Sequence, residues 1–435
     1  MILSAEKSRL SGQVEIPASK SHTIRAVAIG SLARGTSRVL NPLASSDTLS
    51  AVEIYRAFGA KITVHRPASI VQRPANECEE WTITGVGGKP RVPDDVLNVG
   101  NSGTTLYIAM GTAALVEGTT VLTGDNQIRK RPAGSLLDAI NNLGSHGFST
   151  RSDGRPPLVI RGPMRGGKSF LDGSKTSQYL TSLLISCPLA REESQILVSN
   201  AVETPYIEMT LGWLDEQGIK YEREGFDRFT IPGRQSYAAF EKRMPGDFSS
   251  ATFFLCAAAI TGSELTLLGL DMNDTQADKA VVGMLREMGA EIEQLPDGLR
   301  IKGSHLRGGE FDLGDTPDAL PSMAVTACFA EGVTRLVNVA QARVKETDRI
   351  RVMAKELSKM GGMVTELADG LEITASPLHA AKVHGHGDHR VVMALAVAGL
   401  ACDGRTEIDT AEAVSVTFPN FVDLMRGSGA AMQIE

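Results

Sequence analysis

The segment Arg343-Val344-Lys345-Glu346-Thr347-Asp348-Arg349 carries five charges in seven residues. Read as the start of an amphipathic helix, it puts Lys345 and Arg349 four apart on one face, where both reach a single anion. Glu346 beside Lys345 makes an acid/base pair whose titrations are coupled. A solvated, salt-bridged helix start has the same composition, so the segment alone does not separate chemistry from architecture. Further basic candidates are Lys20, Arg25, Arg129, Lys130, Arg131 and Arg390. The spacing from Lys20 to Arg25 suggests one charge at a helix mouth and another about a turn inside. Arg25 stands among apolar neighbours, an expensive place for a charge without a partner. Asp318, in Thr316-Pro317-Asp318-Ala319-Leu320, precedes an apolar helix and reads as a cap or as a general base.

Several familiar chemistries have no residues to carry them. The sequence holds no GxxxxGK[ST], no HExxH and no strand–GxGxxG–helix unit. His384-Gly385-His386-Gly387-Asp388-His389 is rich in histidine, but alternate residues on a glycine-rich loop match no zinc spacing. Cys78, Cys187, Cys256, Cys328 and Cys402 are scattered and odd in number, and read as buried reduced thiols.

The elements that must position these residues repeat along the chain. Apolar helices are expected at Ser19–Arg34, Ser102–Glu117, Thr176–Ala190, Ser249–Thr261, Ala319–Glu331 and His389–Asp403. Five are followed by glycine (Gly35, Gly118, Gly262, Gly332, Gly404), which suits the left-handed position after a helix. Strand-like runs come next: Thr36–Leu40, Thr119–Leu122, Gln195–Ser199, Glu264–Leu268, Thr334–Val337 and Thr406–Asp409. Second, amphipathic helices then end near Gly59, Gly144, Gly218, Gly289 and Gly361. Six α/β units of about 70 residues fit two domains of three units each. Pro17 and Pro245-Gly246 punctuate the chain, giving 18–244 as one domain and 1–17 plus 245–435 as the other. The loops entering the first helices carry Ser19-Lys20-Ser21, Gly100-Asn101-Ser102-Gly103-Thr104, Thr176-Ser177-Gln178 and Asp388-His389-Arg390. Helix N-termini favour anions, although these residue types are also ordinary caps.

Composition sets the class. With 44 basic against 51 acidic side chains the net charge is −7, which argues against a general nucleic-acid binder. No signal peptide is read at the N-terminus, and no apolar run approaches a membrane span; Val391 to Ala401 reads as a buried helix. A cytoplasmic enzyme is expected.

The ordered set of Ser19-Lys20-Ser21 with Arg25, Gly100 to Thr104, Arg131-Pro132, Thr176-Ser177-Gln178, Pro317-Asp318-Ala319, Arg343 to Arg349 and Asp388-His389-Arg390 resembles the 5-enolpyruvylshikimate-3-phosphate synthase family. These are the enolpyruvyl transferases of the shikimate pathway, which leads to chorismate and the aromatic amino acids, and the target of glyphosate. The resemblance spans essentially the whole chain. It implies an α/β fold of two similar domains, each of three βαβαββ units (an inverse α/β barrel), with the active site in the interdomain cleft. It implies transfer of the enolpyruvyl group of phosphoenolpyruvate to the 5-hydroxyl of shikimate 3-phosphate, with release of phosphate. Neither metal nor organic cofactor is implied, and no nucleic-acid or membrane partner; the expected state is a monomer. By position, Lys20 would contact both substrates. Ser21, Arg25, Thr176, Ser177, Gln178, Tyr206 and Gln341 would hold shikimate 3-phosphate, together with Asp318 and Lys345. Gly103, Arg131, Gln178, Arg349 and Arg390 would bind phosphoenolpyruvate. Asp318 would deprotonate the 5-hydroxyl, with Lys345 and Glu346 serving proton transfer at the enolpyruvyl carbon.

The sequence departs from the family pattern in four places. Tyr107 stands where many members have arginine, Gln341 where asparagine is frequent, and Val416 where one branch has lysine. Glu203 replaces a phosphate-binding serine, and an anion there repels a phosphate unless it points away. Gly103 leaves room for glyphosate. The sister transferase acting on UDP-N-acetylglucosamine is the nearest rival, but it uses Lys-Asn where this chain has Lys20-Ser21, and a cysteine that Asp125 to Lys130 lacks. A non-catalytic anion-binding domain of the same fold and an RNA-end phosphate cyclase are the more distant alternatives.

Overall fold

A residue in the left-handed region ends the strand that follows the first helix in most of the repeats. Asn41, Asn200 and Asn338 have φ of 53°, 53° and 59°, and Gly269 has φ 80° at the matching place. Asparagine and glycine are the residues that tolerate this conformation, so the turn into each second helix is written locally. The computed structural model describes residues 1–65 and 79–435; Cys78 lies outside them.

The chain divides into two compact units, Ala18–Met244 and Met1–Pro17 with Pro245–Glu435. The first contains α1 (Lys20–Leu32), α2 (Ser46–Ala57), α3 (Gly103–Leu115), α4 (Gly134–Asn142), α5 (Gln178–Ser186) and α6 (Thr204–Glu216). The second contains α7 (Phe248–Thr261), α8 (Ala280–Met288), α9 (Leu320–Cys328), α10 (Arg349–Lys359), α11 (His389–Gly399) and α12 (Phe421–Gly427). The odd-numbered helices are apolar on every side and form the centre of each unit, α3 against α5 and α7, α9 and α11 against one another. Every residue of α9 and α11 is buried. A helix hydrophobic all round is stable only when enclosed, which the surrounding sheets provide. The even-numbered helices α4, α8 and α10 bury one stripe, which in α10 includes the charged Arg349 and Glu356.

Among the described residues there are six four-stranded sheets, all with the same pattern: one parallel pair, then two antiparallel pairings. The third unit shows it, with Gly167–Asp172 parallel to Ser194–Ser199, and Arg228–Ile231 antiparallel to both Ser194–Ser199 and Glu222–Glu224. That is the βαβαββ order. Two strands are borrowed within the second unit. Ile2–Glu6 pairs with Arg405–Asp409 and Ala431–Ile434, and Ser11–Glu15 runs parallel to Glu264–Leu268.

Glycine recurs for a further reason. A Cβ at Gly162 or Gly233 would stand 2.4 Å from a main-chain carbonyl oxygen (Ala114 and Val116, or Glu192) at the end of the unit's buried helix. Of the glycines expected in the left-handed region after the first helices, Gly35, Gly262, Gly332 and Gly404 have positive φ. Gly118 does not. It is instead crowded, since a Cβ there would meet Val92 Cγ2 at 2.4 Å.

Cys187, Cys256, Cys328 and Cys402 are buried free thiols, and burial pushes the first three up to about 12. Among the described residues no helix is long and apolar enough to cross a membrane.

Candidate active site

In the Ala18–Met244 unit the candidate residues gather at the N-terminal ends of α1, α3 and α5. Lys20 opens α1 behind the cap Ser19, and its Nζ lies 3.2 Å from Asp47 Oδ2 in the first turn of α2. Arg25, one turn further in, is 2% exposed. Its guanidinium donates to Thr210 Oγ1 (3.0 Å), Ser21 O (3.1 Å), Thr181 Oγ1 (3.3 Å) and Tyr206 O (3.0 Å). None of these four acceptors is a carboxylate. Burial pulls the group down to about 10, still charged at neutral pH. A buried cation solvated only by neutral dipoles is suited to accept an anion.

The start of α5 is already occupied. One carboxylate oxygen of Glu203, Oε2, accepts from the Thr176 hydroxyl, the Ser177 N–H and the Ser177 hydroxyl, each at 3.1 Å. Glu203 therefore points into the seat rather than away from it. Gln178 is half-buried beside these residues, its N–H donating to Thr176 Oγ1 at 3.3 Å. At α3, Gly103 lies beside the Arg131 guanidinium, a Cβ there coming within ordinary contact distance of Arg131 Cζ at 3.8 Å. Arg131 is half-buried, whereas Arg129 and Lys130 are exposed. Arg129 turns back to the Gly124 carbonyl, so it is not brought to the cluster as a binding group. Tyr107, where arginine is common, is buried; its hydroxyl donates to Pro132 O at 2.9 Å and its ring stands edge-on to Tyr179.

The second unit corrects the reading of Arg343 to Arg349. Ala340–Val344 is a short 3-10 turn, and α10 begins only at Arg349, with Asp348 as its cap accepting from Arg351 N. Lys345 and Arg349 therefore do not share a helix face. Arg343 accounts for the break: it donates to Asp348, to Glu366 and to the carbonyls of Leu367 and Ala368, fastening the turn to a neighbouring strand. Such long-range fastening outweighs the local helical preference.

Arg349 is 1% exposed and meets three carboxylates: Asp318 at 2.7 Å, Glu346 at 2.5 Å and Asp388 at 2.8 Å. Burial acts to lower its affinity for the proton, but these carboxylates outweigh it and the group is raised. Arg390, 5% exposed, donates to the other oxygen of Asp318 at 2.8 Å. Asp318 thus bridges two arginine forks. Asp388 caps α11 through the Arg390 N–H. Gln341 is spent on the Gly314 carbonyl at 2.6 Å. Lys345 is half-buried between the turn and α10.

Two further acids belong here that the sequence did not single out. Asp278 is 1% exposed, accepts from Ser249 Oγ, and is pushed up first by burial and then by Asp318. Asp47 is the partner of Lys20. Both sit at the start of a second helix, where aspartate is common for capping reasons, so composition carried no signal. His389 is buried with neither ring nitrogen hydrogen-bonded among the described residues; burial pulls it down to about 3. His384 and His386 turn to different carboxylates, Asp409 and Glu356. Among the described residues no group of three or more histidines, cysteines and acids is arranged to hold a metal.

The family model described as EPSP synthase (3-phosphoshikimate 1-carboxyvinyltransferase) matches residues 5–425. A 3-phosphoshikimate 1-carboxyvinyltransferase of Acetivibrio thermocellus is 53% identical over 430 residues, covering 99% of both chains. One of Methanocella arvoryzae is 45% identical over 437 residues, covering all of both. The solved EPSP synthase of Acinetobacter baumannii superposes with a TM-score of 0.82 at 28% identity, over 100% of this chain and 99% of that one. The six small α/β sheets are consistent with the two-domain inverse α/β fold that the family resemblance implied. The chain belongs to the EPSP synthase (3-phosphoshikimate 1-carboxyvinyltransferase) family.

Proposed function

We propose that this chain transfers the enolpyruvyl group of phosphoenolpyruvate to the 5-hydroxyl of shikimate 3-phosphate and releases inorganic phosphate. The observation that carries the reading furthest is Asp318, a carboxylate bridging Arg349 and Arg390. Its two carboxylate oxygens are each held by one of these guanidiniums. Phosphoenolpyruvate brings a phosphate and a carboxylate that compete for the same guanidiniums. Once those anions hold Arg349 and Arg390, Asp318 is released beside new negative charge and becomes basic. The base is then strong only when the second substrate is present.

The roles follow. Asp318 takes the proton from the 5-hydroxyl as its oxygen bonds to C2 of the enolpyruvyl group, while Lys345 or Glu346 delivers a proton to C3. The resulting tetrahedral ketal breaks its C2–O bond to phosphate as C3 returns its proton, leaving the enolpyruvyl ether and free phosphate. Lys20 and Arg131 with Gly103 and Gln178 complete the anion contacts for phosphoenolpyruvate. Arg25, which has no carboxylate partner among the described residues, suits the carboxylate of shikimate 3-phosphate; Ser21, Thr176, Ser177, Tyr206 and Gln341 are assigned to the rest of that substrate. The UDP-sugar alternative has no support from Lys20-Ser21 or from the cysteine-free Asp125 to Lys130.

The test is phosphate release from purified protein given both substrates and no added metal. Turnover is expected, and a well-folded protein that releases none overturns the reading. We also read the chain as a cytoplasmic monomer; light scattering at micromolar concentration checks the oligomeric state.

A further inference from the structure

Glu203 is the least ordinary residue in the Ala18–Met244 unit. It is an acid, 2% exposed, held in the left-handed region at φ 54° and ψ 41°. Glutamate gains nothing intrinsic from that conformation, which residues with a Cβ rarely adopt. What the conformation achieves is placement. It aims Oε2 at three donors belonging to Thr176 and Ser177, immediately before α5. Two hydroxyls and a main-chain N–H converging on one oxygen at the positive end of a helix are what a phosphate oxygen requires. One turn away lies Arg25, buried and bonded to no carboxylate.

We propose that Glu203 is an internal occupant of the phosphate seat, and that shikimate 3-phosphate binds by displacing it. This rests on the reading above that Thr176 and Ser177 receive the substrate's phosphate. A carboxylate and a phosphate dianion cannot share these donors, because two anions in contact in a buried site repel strongly. The seat is therefore open only in the fraction of molecules whose Glu203 has withdrawn, and the apparent affinity for shikimate 3-phosphate is reduced by that fraction. Glu203 thus acts as a specificity-determining residue. It keeps the donors satisfied in the empty enzyme and excludes anions too weakly bound to expel it.

Glu203→Ser and Glu203→Gln test this in the full-length protein, the second keeping the side chain's size if the first folds poorly. Three quantities are read: the dissociation constant for shikimate 3-phosphate by calorimetry, the KM for each substrate, and the change in Tm on adding inorganic phosphate. Removing the charge is expected to tighten shikimate 3-phosphate by about tenfold or more, with the KM for phosphoenolpyruvate unchanged. Inorganic phosphate is expected to raise the Tm of both variants and to leave the unmodified protein unaffected. Binding of shikimate 3-phosphate that is unchanged or weaker in both variants overturns the proposal, as does an equal response of all three proteins to phosphate. If the unmodified protein does not turn over the two substrates, yet phosphate selectively stabilises the two variants, the reaction assignment falls and the occupied seat stands.

Discussion

Arg25 and Arg349 are both buried arginines close to the start of a helix, yet they are held in opposite ways. Arg349 sits among Asp318, Glu346 and Asp388, and its charge is fully compensated inside its own unit. Arg25 leans on two threonine hydroxyls and two carbonyls. The difference teaches how each stores its capacity for an anion. Around Arg349 the capacity is covered by carboxylates that must be exchanged, and the exchange arms one of them as a base. Around Arg25 the capacity is left open, at the cost of burying a charge with only dipoles for company. The neighbouring seat of Thr176 and Ser177 follows the first strategy with a carboxylate of its own.

The comparison can be broken most decisively at Asp318. Asp318→Asn keeps the size and the reach to Arg349 and Arg390 but removes the base, so kcat is expected to fall by about 10²–10⁴-fold with far less change in substrate binding. An equal loss in both would reduce Asp318 to a positioning group. Stability separates the two arginines next. Arg349→Met removes the buried cation shared by Asp318, Glu346 and Asp388 and is expected to cost about 3–5 kcal/mol by chemical denaturation. Arg25→Met strands no charge and is expected to change stability by no more than about 1 kcal/mol while abolishing tight shikimate 3-phosphate binding. Comparable destabilisation by both would show that Arg25 has a compensation of its own.

A pH measurement sharpens the description of the Arg349 cluster. His389 faces Glu346, Asp388, Arg390 and Arg349, and burial pulls its folded-state value from 6.5 to about 3. Between these values the unfolded chain holds a proton that the folded chain refuses, so stability falls as pH falls through that window. The slope assignable to this one group is about 1.4 kcal/mol per pH unit. His389→Gln is expected to flatten the acid limb of the stability curve accordingly. Asp278 works in the opposite sense, since a raised carboxyl takes up its proton in the folded state first. It is present in both proteins and cancels from their difference. The smallest effect belongs to Tyr107→Phe. Losing the hydroxyl costs about 0.5–1.5 kcal/mol, because Tyr179 still donates to the same Pro132 carbonyl at 2.6 Å.

The fold was largely legible because its information is local and repeated. Apolar helices too uniform for a surface and short strands at near-constant spacing recur six times, five of them with a glycine between, and repetition suppresses chance. The left-handed asparagines Asn41, Asn200 and Asn338 were equally readable. The site was legible in part. Asp318, Arg349 and Arg390 could be named from motifs, but their mutual grip joins residues 31 or more apart in sequence. Asp278 and Asp47 escaped notice because an aspartate at a helix start looks the same whether it caps or pairs.

What the sequence by itself determined is the set of elements and the family chemistry, since periodicity, caps and ordered motifs are properties of neighbours along the chain. Tertiary structure alone decided where the charges go. It unwound Lys345 to Asp348 because Arg343 had stronger partners elsewhere, and it turned Glu203 into the donors of Thr176 and Ser177 rather than out to water. Coulomb and hydrogen-bond energies depend on distance and burial, and neither exists until the chain has folded.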